Sequence, residues 1–96
     1  MCGICGQIGG VFDEDRARRA LAKMVHRGPD QQGTSVSDLA FFGHCRLSIL
    51  DLSEAGRQPM MNEDGTIWLT FNGEIYNFAE LRQLLEDRHQ FRSKTD

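Results

Sequence analysis

The sequence predicts an α+β fold, because its segments follow one another in the order strand, helix, several strands, helix. Two local patterns support this order. Apolar residues recur on one helical face between positions 17 and 24, and apolar and polar residues alternate between positions 66 and 71. A chain of 96 residues has room for one domain at most, so we expect a single layered unit.

The N-terminal third of the chain is predicted to form a strand and then a helix. The strand spans residues 4–12 and is loosened by Gly9 and Gly10. Asp13 suits the position that caps the helix, because its carboxylate can accept hydrogen bonds from the first turn. Gly28-Pro29 cannot continue a helix and ends it. The apolar face of this helix consists of Ala17, Ala20, Leu21 and Met24.

The middle of the chain is predicted to consist mainly of strands. Residues 39–50 are rich in apolar side chains and suit one or two strands around Gly43. Residues 53–59 are typical of a loop, and 62–65 (NEDG) of a turn. The alternating segment 66–71 (TIWLTF) then predicts another strand, with its larger apolar side chains on one face.

A hairpin turn and a second helix are predicted after residue 71. Asn72-Gly73 is a strong hairpin signal, and a short strand should follow at 74–76. The second helix should begin near Asn77, with Glu80 three residues later completing a capping box. Its buried stripe should comprise Leu81, Leu84 and Leu85.

The composition excludes several classes of function. A net charge of −3 provides no field that would attract nucleic acid or an anionic membrane. No apolar run is long enough to cross a membrane, and the N-terminus lacks the order of a signal peptide. Three cysteines are too few, and odd in number, for a disulfide framework. We therefore expect a cytoplasmic protein.

Cys2 directly follows the initiator methionine, which makes it a candidate nucleophile. Removal of Met1 would leave Cys2 with both a thiol and a free α-amine. Their ordinary pKa values, about 8.5 and about 7.7–8.0, allow the amine to take the thiol proton near neutral pH. One residue would then supply the nucleophile and the general base. If Met1 is retained, the Cys2 nitrogen is an amide and cannot act as a base.

The spacing Cys2-Gly3-Ile4-Cys5 also allows a redox pair or a zinc site. A zinc ion would need two further ligands, and His44 and Cys45 are the candidates. Because these two residues are adjacent in sequence, their geometry is poor for a second ligand pair. We therefore predict no metal ligands and interpret Cys5 as a small hydrophobic residue.

Two polar features could complete a site for acyl transfer. A sharp turn at Asn72-Gly73 would present a side-chain amide and a backbone N–H in one direction, as an oxyanion hole requires. Arg46 could bind a substrate carboxylate through two hydrogen bonds. The simpler alternatives are a structural turn and an arginine that pairs with a nearby acid.

Five segments occur in the order and spacing of the class II glutamine amidotransferases. They are CGI after Met1, HRGPDQQG at 26–33, RLSILDLSEAGRQPM at 46–60, NGEIYN at 72–77 and the closing TD. The resemblance runs across essentially the whole chain, from Cys2 to Asp96. Within the class, the sequence resembles the N-terminal glutaminase domain of the glutamine-hydrolysing asparagine synthetases. Cys5 departs from the family pattern, which has a small residue without a thiol there.

The resemblance implies an N-terminal-nucleophile hydrolase fold, an αββα sandwich in which two stacked antiparallel sheets lie between helical layers. The family's glutaminase domain is longer than this chain and precedes an ATP-using synthetase domain. We therefore expect residues 1–96 to be an N-terminal fragment of the glutaminase domain.

The resemblance also implies roles in catalysis. Cys2 would be the nucleophile and its α-amine the base, with Asn72 and Gly73 forming the oxyanion hole and contacting the substrate. The reaction would pass through a γ-glutamyl thioester, releasing ammonia and then glutamate, without a metal or cofactor in this half of the enzyme.

Further residues would bind L-glutamine by analogy with the family. Arg46 would bind its α-carboxylate, and Glu74 and Asp96 would hold its α-ammonium group. Residues 26–33 resemble part of a mobile region that covers the bound substrate. The main chain assisting Arg46 would be that of Leu47, Ser48, Ile49 and Leu50.

The family implies further partners. A C-terminal synthetase domain, absent from these residues, would use ATP and Mg²⁺ to make asparagine from aspartate and the ammonia supplied here, and a homodimer of the full enzyme is compatible with this arrangement. The alternative is a catalytically inactive amidotransferase-like fragment that serves as a structural or binding module.

Overall fold

A three-stranded antiparallel sheet forms the centre of the molecule. The structure is a computed structural model that describes residues 1–96. The strands are β1 (Gly3–Ile8), β2 (Gln31–Val36) and β3 (Ala40–Arg46), in the spatial order β1-β3-β2. β3 takes the middle position because its sequence AFFGHCR is the most apolar of the three and its side chains are largely buried. Helices and strands together give an α+β fold, as predicted.

One face of this sheet is covered by helix α1 (Glu14–Ala22). The prediction that Asp13 caps the helix is confirmed, since its Oδ1 accepts the Arg16 N–H at 3.1 Å. Leu21 is the buried residue of α1 and packs beside Gly43 on β3. The helix ends at Ala22, earlier than Gly28-Pro29 would require, and a 3₁₀ turn follows at Val25–Arg27.

The other face is covered by the chain that follows β3. Gly33 on β2 pairs with His44, and a Cβ at Gly33 would lie 1.9 Å from the carbonyl oxygen of Gln58, so this segment packs directly on the sheet. It continues into a two-stranded sheet of β4 (Met60–Met61) and β5 (Trp68–Leu69).

The predicted turn between β4 and β5 is confirmed. The Gly65 N–H donates to the Asn62 carbonyl oxygen at 3.2 Å, and Gly65 has a φ of 74°, which favours glycine. Both features are local to the segment NEDG. This explains why its sequence was sufficient to predict the turn.

Several strand boundaries differ from the predictions. β1 ends at Ile8 because Gly9 and Gly10 adopt φ values of 70° and 79°, outside the extended region. Residues 39–50 contain one strand, β3 at Ala40–Arg46, which agrees with the prediction of one or two strands, whereas only Trp68–Leu69 of the segment 66–71 pairs with a neighbour. β2 was not predicted, because its sequence QQGTSV lacks the apolar alternation that indicates a strand.

The predicted hairpin at Asn72-Gly73 is wrong, and so is the predicted strand at 74–76. A two-residue hairpin turn needs positive φ, and neither Asn72 nor Gly73 has it. The two residues lie instead in an irregular loop between β5 and the next helix. This loop carries the Asn72 side-chain amide and the Gly73 N–H.

Helix α2 (Phe78–Leu85) begins at the predicted position but lacks two predicted features. Asn77 has φ −97° and ψ 26°, outside the extended conformation of an N-cap, and its side chain makes no capping bond, so the capping box is wrong. The predicted buried stripe is also wrong: Leu81, Leu84 and Leu85 are exposed, because no strand or helix packs extensively against α2.

Neither helix is long and apolar enough to cross a membrane.

Candidate active site

A cavity of about 580 Å³ opens at the C-terminal end of β3. The antiparallel register explains its position: Gly3 pairs with Cys45, so the preceding residue, Cys2, lies next to Arg46. All the sequence-predicted site residues except Ser48 line this cavity. They are Cys2, Arg46, Leu47, Ile49, Leu50, Asn72, Gly73, Glu74 and Asp96.

The thiol of Cys2 is oriented by the backbone of Leu47. The Leu47 N–H donates to the Cys2 Sγ at 3.3 Å, and the Leu47 carbonyl oxygen lies 3.8 Å from the same sulfur. Met1 also lines the cavity, with a side chain that is 75% exposed. The residue whose removal would free the Cys2 amine is therefore accessible from solvent.

Arg46 is buried and already makes bonds within the protein. Its Nη1 donates to the Gln31 side-chain oxygen at 2.8 Å and to the Ser53 carbonyl at 3.2 Å, and its Nη2 donates to the Asp51 carbonyl. An arginine has five N–H donors, so two remain for a ligand. The guanidinium group also lies against Gly56, where a Cβ would come within 2.3 Å of Nη2. Arg46 therefore organises the loop that follows β3 while lining the cavity.

Asp30 holds the chain where it leaves β3. Its N–H donates to the Arg46 carbonyl at 3.1 Å, and its Oδ2 accepts the Ser48 N–H at 2.7 Å. The Ser48 N–H is therefore occupied within the protein, which agrees with the absence of Ser48 from the cavity lining.

The segment 26–33 does not cover the cavity in this structure. Residues from Gln31 onward belong to the edge strand β2, and none of the eight residues lines the cavity. Gly28 packs against the backbone of Cys45 and Arg46. The segment contacts the C-terminal end of β3, next to the cavity, and thereby helps to hold Arg46 in place.

The Asn72-Gly73 loop presents unused hydrogen-bond donors to the cavity. Neither the Asn72 side-chain amide nor the Gly73 N–H donates to any group of the protein. Asp96 is joined to the same loop, since its Oδ2 accepts the Ile75 N–H at 2.7 Å. The Asn72 amide and the Gly73 N–H are therefore available to a ligand in the cavity without displacing an internal partner.

Asp51 connects two of the segments that form the cavity and was not identified from the sequence. Its carbonyl oxygen accepts from Arg46, and its carboxylate accepts the backbone N–H groups of Ser53 and Lys94 at 2.9 and 2.7 Å. The Lys94 N–H, together with the Ser53 hydroxyl and N–H, lowers the pKa of Asp51 to about 2. The carboxylate thus ties the loop after β3 to the segment that carries Asp96.

Phe71 lies directly before Asn72 and is held by two side chains that sequence reasoning missed. The Gln58 Oε1 accepts the Phe71 N–H at 2.6 Å, and the Phe71 carbonyl oxygen lies 3.1 Å from the His44 Nε2. His44 thus contacts Phe71 and holds no zinc ligand position with Cys45, since no metal-binding group of side chains is present. No local pattern signals these contacts, because the partners lie 13 and 27 residues from Phe71.

The CxxC spacing does not bring its two thiols to one site. Side chains three positions apart along an extended chain point to opposite faces. Cys2 lines the large cavity, whereas Cys5 lines a separate cavity of about 200 Å³ beside α1. Burial and the nearby Cys45 raise the pKa of Cys5, which disfavours its reactive thiolate. No group of three or more His, Cys, Asp or Glu side chains is arranged to hold a metal ion.

The amino-acid sequence matches a known domain family. The sequence profile of the glutamine amidotransferase domain matches residues 1–96, the whole of the chain. The chain therefore belongs to the glutamine amidotransferase domain family.

Curated proteins with similar sequences include several asparagine synthetases. The chain is 42% identical to an asparagine synthetase [glutamine-hydrolyzing] of Asparagus officinalis, 41% to asparagine synthetase [glutamine-hydrolyzing] 1 of Bacillus subtilis (strain 168), and 43% to asparagine synthetase [glutamine-hydrolyzing] 3 of Arabidopsis thaliana. Each match covers 100% of this chain but only 16–17% of the relative. The chain thus spans about a sixth of the length of these curated relatives.

Proposed function

We propose that this chain is the N-terminal part of a glutaminase domain that hydrolyses L-glutamine through a Cys2 thioester and supplies the ammonia to a synthetase domain making asparagine. The single observation that carries the proposal is the shared cavity. Cys2, Arg46, the Asn72-Gly73 donors and Asp96 come from distant parts of the sequence and line one space. Its volume of about 580 Å³ lies within the usual range for small-molecule sites.

The charges that line the cavity suit a zwitterionic amino acid. Arg46 has two N–H donors left for an α-carboxylate, and the Leu47 and Leu50 segment lies beside it. Glu74 and Asp96 supply the negative charge that an α-ammonium group requires. Glutamine held at both ends in this way would direct its side-chain amide toward Cys2.

The chemistry follows from the groups around the Cys2 sulfur. The thiol passes its proton to the free α-amine, and the sulfur attacks the amide carbon of glutamine. Asn72 and Gly73 donate hydrogen bonds to the resulting oxyanion. The amine then protonates the leaving nitrogen, so ammonia departs and a thioester remains. Water activated by the same amine attacks the thioester and releases glutamate and the thiol.

We infer that the central sheet and the β4–β5 pair belong to the two sheets of an N-terminal-nucleophile hydrolase sandwich. The packing of α1 on one face of the central sheet, and of the β4–β5 segment on the other, supports this arrangement. The ATP and Mg²⁺ used by the synthetase domain form part of the proposal for the full enzyme, as do its cytoplasmic location and a homodimer. No step of the glutaminase reaction requires them.

The proposal is tested by measuring the ammonia that the full protein, as its gene encodes it, releases from glutamine. Cys2→Ala should lower kcat by at least about 10⁴-fold, as expected when a nucleophile is removed. Cys5→Ala is the matched control and should stay within about threefold of wild type, because Cys5 lines another cavity. A glutamine-analogue electrophile should add its mass at Cys2. Full activity of Cys2→Ala would overturn the proposal.

A binding module without turnover is the second candidate, and it follows if the mature protein keeps Met1 beside Cys2 in the cavity. While Met1 is attached, the Cys2 nitrogen is an amide, and the chain could bind glutamine but not hydrolyse it. Intact mass distinguishes the two functions. Active protein should lack the mass of Met1, and a sample that retains Met1 but releases ammonia would contradict the assigned role of the amine.

A further inference from the structure

The donors of the Asn72-Gly73 loop lack the support of regular secondary structure. Neither residue belongs to a strand, a helix or a hairpin, and neither has a positive φ that would define a tight turn. Their N–H groups make no bond to the protein. Because a displacement of about 1 Å can cost about 10²-fold in rate, something else must hold this loop in position.

Phe71 provides the attachment point, because both of its backbone polar groups are bonded to side chains. Gln58 accepts the Phe71 N–H at 2.6 Å, and His44 contacts the Phe71 carbonyl at 3.1 Å. The Phe71 ring also packs against Gly73, because a Cβ at Gly73 would lie 2.6 Å from the ring. The position of Phe71 therefore determines where the following two residues lie.

His44 anchors this contact to the central strand. The side chain is fully buried on β3, two residues before Arg46. A carbonyl oxygen can only accept, so the His44 Nε2 carries the proton that it donates to Phe71. The Nδ1 is buried and has no partner, so a second proton there would have no acceptor. Burial and the nearby Arg46 lower the pKa of His44, which favours the neutral donor form.

Gln58 anchors the other side of Phe71 to the edge strand. Its carbonyl oxygen packs against Gly33 on β2, at the site where a Cβ would lie only 1.9 Å away. Its side chain lines the main cavity as it reaches the Phe71 N–H. Phe71 is thus tied to β3 through one side chain and to β2 through the other.

We propose that His44 and Gln58 are positioning residues that hold Phe71 and thereby direct the Asn72 amide and the Gly73 N–H toward the substrate carbonyl. The proposal rests on the proposed function, since it assigns a role within the same site. Neither residue needs to touch glutamine. Their effect on the reaction passes through the backbone of Phe71.

The test compares variants that keep or remove each bond, in the protein as its gene encodes it. Gln58→Met has similar length but no acceptor, and His44→Leu has no donor. Each should lower kcat for glutamine about 10–100-fold while KM changes less than about threefold, because the oxyanion donors act mainly in the transition state. His44→Gln places an amide N–H near the position of Nε2 and should recover activity to within about tenfold of wild type.

Two further measurements separate positioning from a general loss of structure. Alkylation of Cys2 by iodoacetamide should proceed at the wild-type rate in all variants, since the nucleophile does not depend on the loop. Arg18→Ala, at an exposed ion pair on α1, is the control for substitution itself and should change neither kcat nor KM. If His44→Gln is as impaired as His44→Leu, or Gln58→Met stays within threefold of wild type, the proposal is overturned.

Hydrogen exchange tests the attachment independently of catalysis. The Phe71 amide, which is the hydrogen-bonded N–H of residues 71–74, should exchange at least about tenfold faster in Gln58→Met and His44→Leu than in wild type. Unchanged exchange would refute the attachment even if kcat falls. Wild-type protein that releases no ammonia would refute the proposed function instead, and the exchange rates would still decide whether His44 and Gln58 hold the loop.

Discussion

Replacement of Gly28 by alanine should destabilise the protein because the added methyl group has no space. A Cβ at Gly28 would lie 2.3 Å from the Cys45 carbonyl oxygen and 2.5 Å from the Arg46 carbonyl carbon, whereas ordinary contact begins near 3.4 Å. The φ of Gly28 is −154°, which any residue can adopt, so the glycine is required for space alone. Relief would require Gly28 or β3 to move by about 1 Å.

The central position of β3 determines how much stability Gly28→Ala should lose. This strand is hydrogen-bonded to β1 and β2 on its two sides, so it cannot shift without disturbing both ladders. The displacement would also strain the bond from the Asp30 N–H to the Arg46 carbonyl. Insertion of a methyl group into a packed site typically costs about 1–3 kcal/mol, and a contact with rigid backbone belongs at the upper end. We expect Gly28→Ala to lose about 3 kcal/mol.

Urea unfolding of wild type and variant, each as the full protein that the gene encodes and followed by circular dichroism, measures this loss. Gly9→Asn is the matched control, because nothing lies within 4 Å of its Cβ position and asparagine tolerates the φ of 70°. The control should change the free energy of unfolding by less than about 0.5 kcal/mol. A loss below about 1 kcal/mol in Gly28→Ala would refute the steric argument.

Three further predictions concern pH and the isolated chain. The native pKa of Asp51, about 2, lies below its ordinary 3.8, so its carboxylate stabilises the fold above pH 3.8 and ceases to do so as the pH falls through 2. The stability difference between wild type and Asp51→Asn should therefore shrink over that range, and a constant difference would contradict this. The lowered pKa of His44 means that the unfolded chain binds more protons below pH 6.5. Wild-type stability should fall with pH from 6.5 downward more steeply than that of His44→Gln, and parallel profiles would argue against a neutral His44. Residues 1–96 alone should aggregate or unfold without a sharp transition, since only Leu21, Phe41 and Cys45 form the buried apolar core; a reversible, cooperative melt of a monomeric sample would disprove this.

The sequence predicted those elements whose stabilising contacts are local. The Asp13 cap is bonded three residues along the chain, and the turn at 62–65 closes within its own four residues. The position of Cys2 behind Met1 and the five family segments likewise identified the domain family and the residues around the cavity. All of these signals lie within short stretches of chain.

The features that escaped prediction depend on contacts between distant parts of the chain. β2 forms because it pairs with β3, although its own sequence lacks a strand pattern. Leu81 and its neighbours have the spacing of a buried stripe, but spacing cannot show whether another element covers them. The same limitation applies to the Asn72-Gly73 loop, whose conformation follows from where Phe71 is held and not from its hairpin signal.

By itself, the sequence determined which chemical groups are available to the site: a thiol directly behind the initiator methionine, the Asn72-Gly73 donors, Arg46 and acidic residues, in the order of a known family. Only the tertiary structure decided how they meet. The register of β1 on β3 brings Cys2 beside Arg46, and the bonds of Asp51, His44 and Gln58 bring the later segments to the same cavity. These contacts join residues 13 to 43 positions apart, and a local sequence pattern carries no information about them.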